Sequence, residues 1–218
     1  MVAHALKRMG GWVRATAIDL APSRLVVRRG PSHPRRLALT FDDGPDEMTT
    51  RYLDVLDRSG VYATFFLMGD LSSQRRDLVL EYVRRGHQVA GHGYAHNRFT
   101  ELSRIELLTE LAKTEEQLPP STTPRPWVRP PYGAIGPRSL AVCAAGGYTV
   151  ALWSFDSLDH TVHEPDGLVA RCAPANVRPG DVLLLHEGHE PTLAALPRII
   201  DNLRGDGYEL VTMSELVG

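Results

Sequence analysis

Short apolar runs alternate with amphipathic segments along most of the chain. Buried strands are predicted by the apolar runs at residues 37–41, 63–67, 88–90, 127–128, 148–153, 182–185 and 209–211. Helices are predicted by the amphipathic segments at residues 49–59, 75–85, 105–117, 138–145 and 193–203. Strands that alternate with helices indicate an α/β fold with a largely parallel sheet, and the number of units favours a barrel.

The pattern divides the chain into an extension at residues 1–36 and one domain at residues 37–218. Within the extension, apolar residues between Val2 and Val13 recur at roughly helical spacing, which predicts a short helix packed on the domain. Residues 28–36 are basic and rich in turn formers, so we expect a solvated loop there. A chain of 218 residues is long enough for a full hydrophobic core.

Charge and hydropathy exclude some classes of partner and of location. The formal net charge of −2 gives no reason to expect binding to nucleic acid. The uncharged run at residues 139–155 contains two glycines and is shorter than a membrane span, so no transmembrane segment is expected. Lys7, Arg8 and Arg14 interrupt the apolar core that a signal peptide needs. The default expectation is therefore a cytoplasmic protein, or an extracytoplasmic one if its original N-terminus was removed.

The chain has two cysteines, Cys143 and Cys172. Neither lies in a CxxC pair, which argues against a thiolate zinc site. Two free buried thiols are expected, with one disulfide between them as the alternative.

Polar residues of several chemical types lie at or just after the carboxyl ends of the predicted strands. They are Asp42, Asp43, His92, Arg129, Asp156 and His186. In α/β barrels this edge of the strands carries the active site. The sequence therefore predicts that these side chains meet.

The adjacent pair Asp42–Asp43 ends a strand and is followed by Gly44–Pro45, which makes a tight turn. Such a strand end can direct one carboxylate to a metal and the other to a water, although an Asx turn is an alternative interpretation. His92 and His96 are four residues apart, the spacing of the histidines in the zinc-binding HExxH motif, although chance spacing is the alternative. Two imidazoles and one carboxylate form a three-ligand catalytic metal site with open positions.

Two further segments suit the same chemistry. Residues 129–133, Arg-Pro-Pro-Tyr-Gly, form a rigid loop in which Arg129 can grip a carboxylate and the Tyr132 N–H can face an oxyanion. His186 ends a buried strand, and residues 153–160 offer an aspartate to orient it, so it is a candidate general acid. Taken alone, His186 would be read as a core histidine.

Together these motifs resemble the polysaccharide deacetylase family, the NodB homology domain of carbohydrate esterase family 4. The resemblance runs from about residue 36 to the end of the chain and rests mainly on Thr-Phe-Asp-Asp-Gly-Pro at residues 40–45 and on residues 129–133. It implies a single-domain distorted (β/α) barrel of seven or eight strands. It also implies a divalent metal, with zinc expected first and cobalt, manganese or nickel as alternatives.

The resemblance further implies a role for each matching residue. Asp43, His92 and His96 would bind the metal, and Asp42 would be the general base. His186 would be the general acid, Arg129 would orient Asp42, Asp156 would tune His186, and Leu184 would line the acetyl pocket. The implied activity is removal of N-acetyl groups from amino sugars of a polysaccharide or oligosaccharide.

Three positions differ from the common family pattern. Gly93 replaces a serine or threonine, His160 replaces the tryptophan that walls the acetate pocket, and Glu187 replaces an aspartate. Because His160 alters the acyl pocket, the alternative substrate is a small N-acyl compound or a lipid-linked amino sugar. The second alternative is a sugar-binding protein that has lost catalysis. His189 is a further candidate for the rim of the site.

Overall fold

The computed structural model describes residues 21–218. Within that range the strands are β1 (Val26–Val27), β2 (Arg36–Gly44), β3 (Thr64–Leu67), β4 (Gln88–Gly91), β5 (Trp127–Val128), β6 (Thr149–Ala151), β7 (Phe155–Asp156), β8 (Val182–His186) and β9 (Glu209–Val211). The α-helices there are α1 (Thr49–Ser59), α2 (Gly69–Gln74), α3 (Arg76–Arg84), α4 (Arg104–Glu115), α5 (Pro137–Ala145), α6 (Pro165–Arg171), α7 (Glu190–Gly205) and α8 (Met213–Val217). Single 3₁₀ turns occur at Pro131–Gly133 and Asp159–Thr161.

The strands form one parallel sheet. Eight of them follow the order β1-β6-β5-β4-β3-β2-β8-β7, and β9 pairs with the first residues of β2. Ser154, which lies between β6 and β7, donates its N–H to the carbonyl of Val182 and so connects the β6 side of the sheet to β8. The sheet therefore curves into the distorted (β/α) barrel that the sequence predicts.

Strand β2 pairs with β3, β8 and β9, and it is buried along most of its length. Residues 37–42 are all buried, as expected for a continuous apolar run between two parallel neighbours. Asp42 is level with Phe66 of β3 on one side and with His186 of β8 on the other. The carboxyl ends of parallel strands meet at one edge, so this register brings polar residues from distant parts of the chain together.

The helices pack their apolar faces against this sheet. Helix α1 buries Tyr52, Leu53, Val55 and Leu56 and ends at Gly60, whose left-handed conformation (φ 58°) suits glycine. The main core cluster joins these side chains to Phe41 and Phe65, whose rings stack with centroids 5.0 Å apart, and to the apolar face of α7. Burial of this shared core fixes the positions of β2 and β8 relative to the helices, and hence the positions of the residues at the carboxyl ends of these strands.

The five predicted helices and seven predicted strands are confirmed, with ends that shift by a few residues. The sequence pattern does not predict β1, β7, α2, α6 and α8, because such short strands and helices of five to seven residues show too little periodicity. The described part of the predicted extension contributes β1, which pairs with β6. The helix predicted between Val2 and Val13 lies outside the described residues.

Two smaller expectations concern the cysteines and the membrane. Cys143 and Cys172 are both buried and free, so the expectation of two thiols is confirmed. Among the helices between residues 21 and 218, none is long and apolar enough to cross a membrane.

Candidate active site

A cleft of about 430 Å³ opens at the carboxyl ends of the central strands. Its walls are formed by Asp42, Asp43, His92, His96, Tyr132, Trp153, Asp156, His160, Leu184, His186 and His189. Of the residues that the sequence analysis singled out for the site, only Arg129 lies behind the wall rather than in it. The prediction that these strand ends meet is therefore confirmed.

One wall of the cleft gathers the three predicted metal ligands. Oδ1 of Asp43 lies 3.4 Å from Nε2 of His92 and 3.2 Å from Nε2 of His96, and this oxygen is buried without a hydrogen-bond partner among the described residues. Nδ1 of His92 donates a hydrogen bond to the carbonyl oxygen of Arg129 at 2.9 Å. Because a carbonyl only accepts, this bond places the proton of a neutral His92 on Nδ1 and leaves the Nε2 lone pair facing Asp43.

This donor set suits a divalent metal. One carboxylate oxygen and two imidazole nitrogens, all within 4.8 Å of one another, are the ligand types of a catalytic zinc site. Burial would raise the pKa of Asp43, but the close contacts with the ring nitrogens of His92 and His96 hold that pKa well below its usual range. The carboxylate is thus ionised at neutral pH, as a ligand must be.

Behind this wall, Asp42 is paired with a fully buried arginine. Oδ1 of Asp42 accepts a 2.6 Å hydrogen bond from Nη1 of Arg129, which also donates to Oγ1 of Thr40 at 3.0 Å. The Arg129 guanidinium stacks on the ring of Phe66, 3.9 Å from its centroid. A buried charge pair of this kind needs good geometry to be tolerated. Arg129 therefore fixes the orientation of Asp42, as expected, and leaves Oδ2 3.6 Å from Nε2 of His92.

The opposite wall holds His186 against a different aspartate from the expected one. Nδ1 of His186 donates a 2.7 Å hydrogen bond to Oδ1 of Asp159. Asp156 instead accepts from the N–H of Leu158 at 2.9 Å, two residues further on, as in an Asx turn. Asp156 does line the cleft, but the contact expected between it and His186 is wrong, because Asp159 already occupies Nδ1.

The contacts of Asp159 stabilise the protonated form of His186. Oδ2 of Asp159 accepts from the backbone N–H of His186 at 2.7 Å and from Oγ1 of Thr192 at 3.0 Å. Burial alone would lower the pKa of His186, but the hydrogen bond and charge of Asp159 raise it to about 9. Burial would likewise raise the pKa of Asp159, yet His186 holds it below the usual value. At neutral pH the pair is imidazolium and carboxylate.

Tyr132, Leu184 and His160 define the rest of the cleft. The Tyr132 hydroxyl lies 3.1 Å from Nδ1 of His96, and the Arg98 guanidinium covers the Tyr132 ring at 4.1 Å. Leu184 is buried in β8 and presents an apolar surface to the cleft. His160 is exposed, with its ring centroid 5.4 Å from that of His186.

Backbone strain concentrates around the cleft. Among the described residues, those other than glycine with positive φ are Asp43 (71°), His96 (57°), Tyr132 (60°) and Leu158 (56°). Three of the four are proposed site residues, and Leu158 directly precedes Asp159. Each left-handed residue costs on the order of 1–3 kcal/mol. The surrounding contacts hold these conformations in place, which is typical of functional sites.

Glu187 supports the Asp42–Asp43 turn from below. Its carboxyl group accepts hydrogen bonds from Tyr82 Oη at 2.7 Å and Thr49 Oγ1 at 3.0 Å, and burial raises its pKa to about 8. A Cβ atom at Gly44 would lie 1.8 Å from Oε2 of Glu187. A glycine is thus required at position 44, because the carboxylate of Glu187 occupies the space that a side chain would need.

Comparison with known proteins places this site in a family. The profile of the family described as polysaccharide deacetylase matches residues 29–151. A peptidoglycan N-acetylglucosamine deacetylase from Listeria monocytogenes is 36% identical over 186 residues, which cover 84% of this chain and 39% of the relative. The chain thus spans well under half the length of that relative.

Two solved structures share the fold along nearly the whole chain. One is a peptidoglycan N-acetylglucosamine deacetylase in complex with an N-hydroxybenzamide derivative (TM-score 0.83, 31% identity, 88% of this chain and 92% of the other). The second is a carbohydrate esterase family 4 pseudoenzyme from Bacillus anthracis (TM-score 0.82, 27% identity, 90% of this chain and 70% of the other). The chain belongs to the polysaccharide deacetylase family.

Proposed function

We propose that this protein is a metal-dependent hydrolase that removes N-acetyl groups from amino sugars of a polysaccharide or oligosaccharide. The observation that carries the proposal is the convergence on one cleft of three components. These are a three-residue ligand set, an aspartate oriented by a buried arginine, and a histidine paired with a buried carboxylate. The relatives named as peptidoglycan deacetylases support N-acetylglucosamine in a glycan as the first substrate to test.

In the proposed mechanism, Asp43, His92 and His96 would hold the metal, for which zinc is the first candidate. A bound divalent ion supplies Lewis acidity toward the acyl carbonyl and lowers the pKa of water. Asp42 takes a proton from the attacking water, with its carboxylate held in place by Arg129. The backbone N–H of Tyr132, a residue with a left-handed conformation on the cleft wall, is assigned to the developing oxyanion.

The second half of the proposed reaction belongs to His186. Because its Nδ1–H is bound to Asp159, the proton on Nε2 is the one available to the substrate. His186 transfers this proton to the nitrogen of the breaking C–N bond, so that the free amine and acetate leave. Leu184 and Trp153, together with His160, surround the space for the acyl group.

One observation favours a second candidate substrate class. His160 is exposed at the cleft edge where the family pattern has tryptophan, so the acyl pocket has a smaller wall on that side. A small N-acyl compound, or an amino sugar on a lipid carrier, would use the same catalytic residues with a different fit.

Acetate release separates the candidates. Purified protein loaded with zinc is incubated with chitooligosaccharides, peptidoglycan fragments and small N-acetylated compounds, and acetate is quantified with and without a chelator. The proposal expects chelator-sensitive release from the glycans. Release from the small compounds alone supports the second candidate. No release from any of them by zinc-loaded protein contradicts both and favours a pseudoenzyme.

A further inference from the structure

The segment that carries His92 and His96 has little regular structure of its own. Gly93 and His96 both adopt left-handed conformations, with φ values of 76° and 57°. The carbonyls of Gly93 and Tyr94 accept hydrogen bonds from Gly69 and Asp70 at the start of α2. The N–H groups of Tyr94 and Ala95 have no backbone acceptor among the described residues, so they need a different partner.

That partner is the side chain of Glu110, on helix α4. Oε2 of Glu110 accepts from the N–H of Tyr94 at 2.9 Å and from the N–H of Ala95 at 3.1 Å. Oε1 accepts from the side-chain amide of Asn97 at 3.3 Å. One carboxylate thus binds three donors in the span from residue 94 to residue 97. Hydrogen bonds to an ionised acceptor are roughly twice as strong as neutral ones.

The glycine at position 93 makes the loop more dependent on its contact with Glu110. A serine or threonine hydroxyl, which the family pattern has at this position, is absent here. A Cβ atom on Gly93 would lie 3.3 Å from the Phe99 ring and 3.7 Å from Oε2 of Glu110, on a backbone that disfavours any side chain. The loop therefore gains its polar anchor from α4 instead of from its own sequence.

We propose that Glu110 is a positioning residue that sets the separation of His92 and His96 and thereby the affinity of the site for its metal. The proposal rests on the metal-binding role assigned to these histidines above. Glu110 does not face the cleft and touches no ligand atom. It acts through the backbone between the two histidines, in the way that outer contacts orient metal ligands elsewhere.

Helix α4 offers a matched control. Glu106 lies one turn before Glu110 and is exposed; its carboxylate accepts from the N–H of Ser103, in the capping box that starts the helix. Glu106→Ala removes the same charge and weakens the same helix, but it leaves the loop contacts in place. Glu110→Gln keeps a carbonyl oxygen for the Tyr94 and Ala95 N–H groups, so it tests whether an acceptor suffices.

The first measurement needs no metal. Amide hydrogen exchange of the zinc-free protein is followed for residues 93–97. Glu110→Ala is expected to accelerate exchange at Tyr94 and Ala95, whereas Glu106→Ala leaves these two amides as in the wild type even if it lowers the melting temperature. Unchanged exchange in Glu110→Ala, or equal acceleration in both variants, overturns the proposal.

The second measurement is zinc affinity by competition with a chromophoric chelator. Glu110→Ala is expected to bind zinc about 10-fold more weakly, at the lower end of the 10- to 100-fold effect of outer contacts, with Glu110→Gln closer to the wild type. Wild-type zinc affinity in Glu110→Ala overturns the proposal. Failure of the wild type itself to bind zinc contradicts the proposed function, while the exchange experiment still decides whether Glu110 holds the loop.

Discussion

Each wall of the cleft carries a buried or half-buried histidine, and the two histidines have opposite proposed roles. His92 and His186 are both anchored through Nδ1, and both leave Nε2 for chemistry. The acceptor for His92 is the neutral carbonyl of Arg129, whereas the acceptor for His186 is the carboxylate of Asp159. The difference in charge between these acceptors decides what each Nε2 can do.

A carbonyl acceptor fixes the tautomer without adding charge, so Nε2 of His92 offers a lone pair. A carboxylate acceptor instead stabilises the imidazolium and raises the pKa of His186 to about 9, so its Nε2 offers a proton. In the proposed mechanism, one residue type thereby supplies both a metal ligand and a general acid. The partner at Nδ1, more than the position in the cleft, distinguishes the two roles.

The largest expected effect comes from removing a ligand on the first wall. Asp43→Ala deletes the oxygen that faces both histidines, so we expect zinc to be lost and acetate release to fall to background. Metal content by mass spectrometry and acetate release are measured together. His163→Ala, at an exposed histidine outside the cleft, is the control. Retention of stoichiometric zinc in Asp43→Ala would contradict the ligand assignment.

Asp42→Asn tests the proposed general base without removing a proposed metal ligand. The amide preserves size but cannot take a proton, so we expect kcat to fall by about 10²- to 10⁴-fold while zinc remains bound. Arg129 then lacks its counter-charge in a buried site, and stability falls by about 3–5 kcal/mol, the usual cost of breaking a buried pair. Rates are compared below the measured melting temperature. A wild-type rate in this variant would exclude Asp42 as the base.

The two walls also differ in how far the sequence could predict them. The apolar strand ending in Asp42–Asp43 and the spacing of His92 and His96 were sufficient to predict the three proposed metal ligands, which the structure brings together. Strand ends of a parallel sheet converge by geometry, so residues next to a clear strand are easily placed. Arg129 follows β5 directly and was placed for the same reason.

Asp159 and Glu110 could not be found in this way. Asp159 lies in a 3₁₀ turn whose direction depends on the left-handed Leu158, and no periodicity in the sequence indicates that reversal. Glu110 is one of several acids on α4, and only the packing of that helix against the His92 loop distinguishes it. Both contacts are set by tertiary packing, whereas Asp43 and His92 are placed by the strands β2 and β4 that they end or directly follow.

Substitutions at Asp159 and Asp156 test which of these two aspartates is the partner of His186. Asp159→Asn removes the charge beside His186, and we expect activity to fall by about 10- to 100-fold, the usual range for loss of an orienting partner. The pKa of His186 would drop toward its ordinary value, so the alkaline limb of the kcat/KM profile would move to lower pH.

Asp156→Asn is the matched variant, since it lies three residues away and lines the same cleft. It retains the Asp159–His186 contact and an oxygen for the Leu158 N–H, so the alkaline limb should stay where it is in the wild type. If Asp156→Asn moved the limb and Asp159→Asn did not, the original assignment of Asp156 to His186 would be restored.

The smallest expected effect is on stability, and it isolates the second wall from the first. The folded pKa of His186, about 9, exceeds its ordinary value of 6.5. The imidazolium–carboxylate pair therefore contributes fully below pH 6.5, and its contribution is lost as pH rises from about 6.5 to 9. A pKa difference of this size corresponds to roughly 3.5 kcal/mol in the free energy of unfolding at about 1.4 kcal/mol per pKa unit. About 2–3 kcal/mol of it is lost between pH 6.5 and pH 9, because the unfolded state is half protonated at the lower pH and the folded state at the higher one. Urea denaturation of the zinc-free protein at pH 6.5 and pH 9 measures this difference directly.

In Asp159→Asn the same comparison should show a much smaller change, since a neutral amide does not stabilise the imidazolium. An equal fall in both proteins would mean that other groups, and not this pair, lower the stability at alkaline pH.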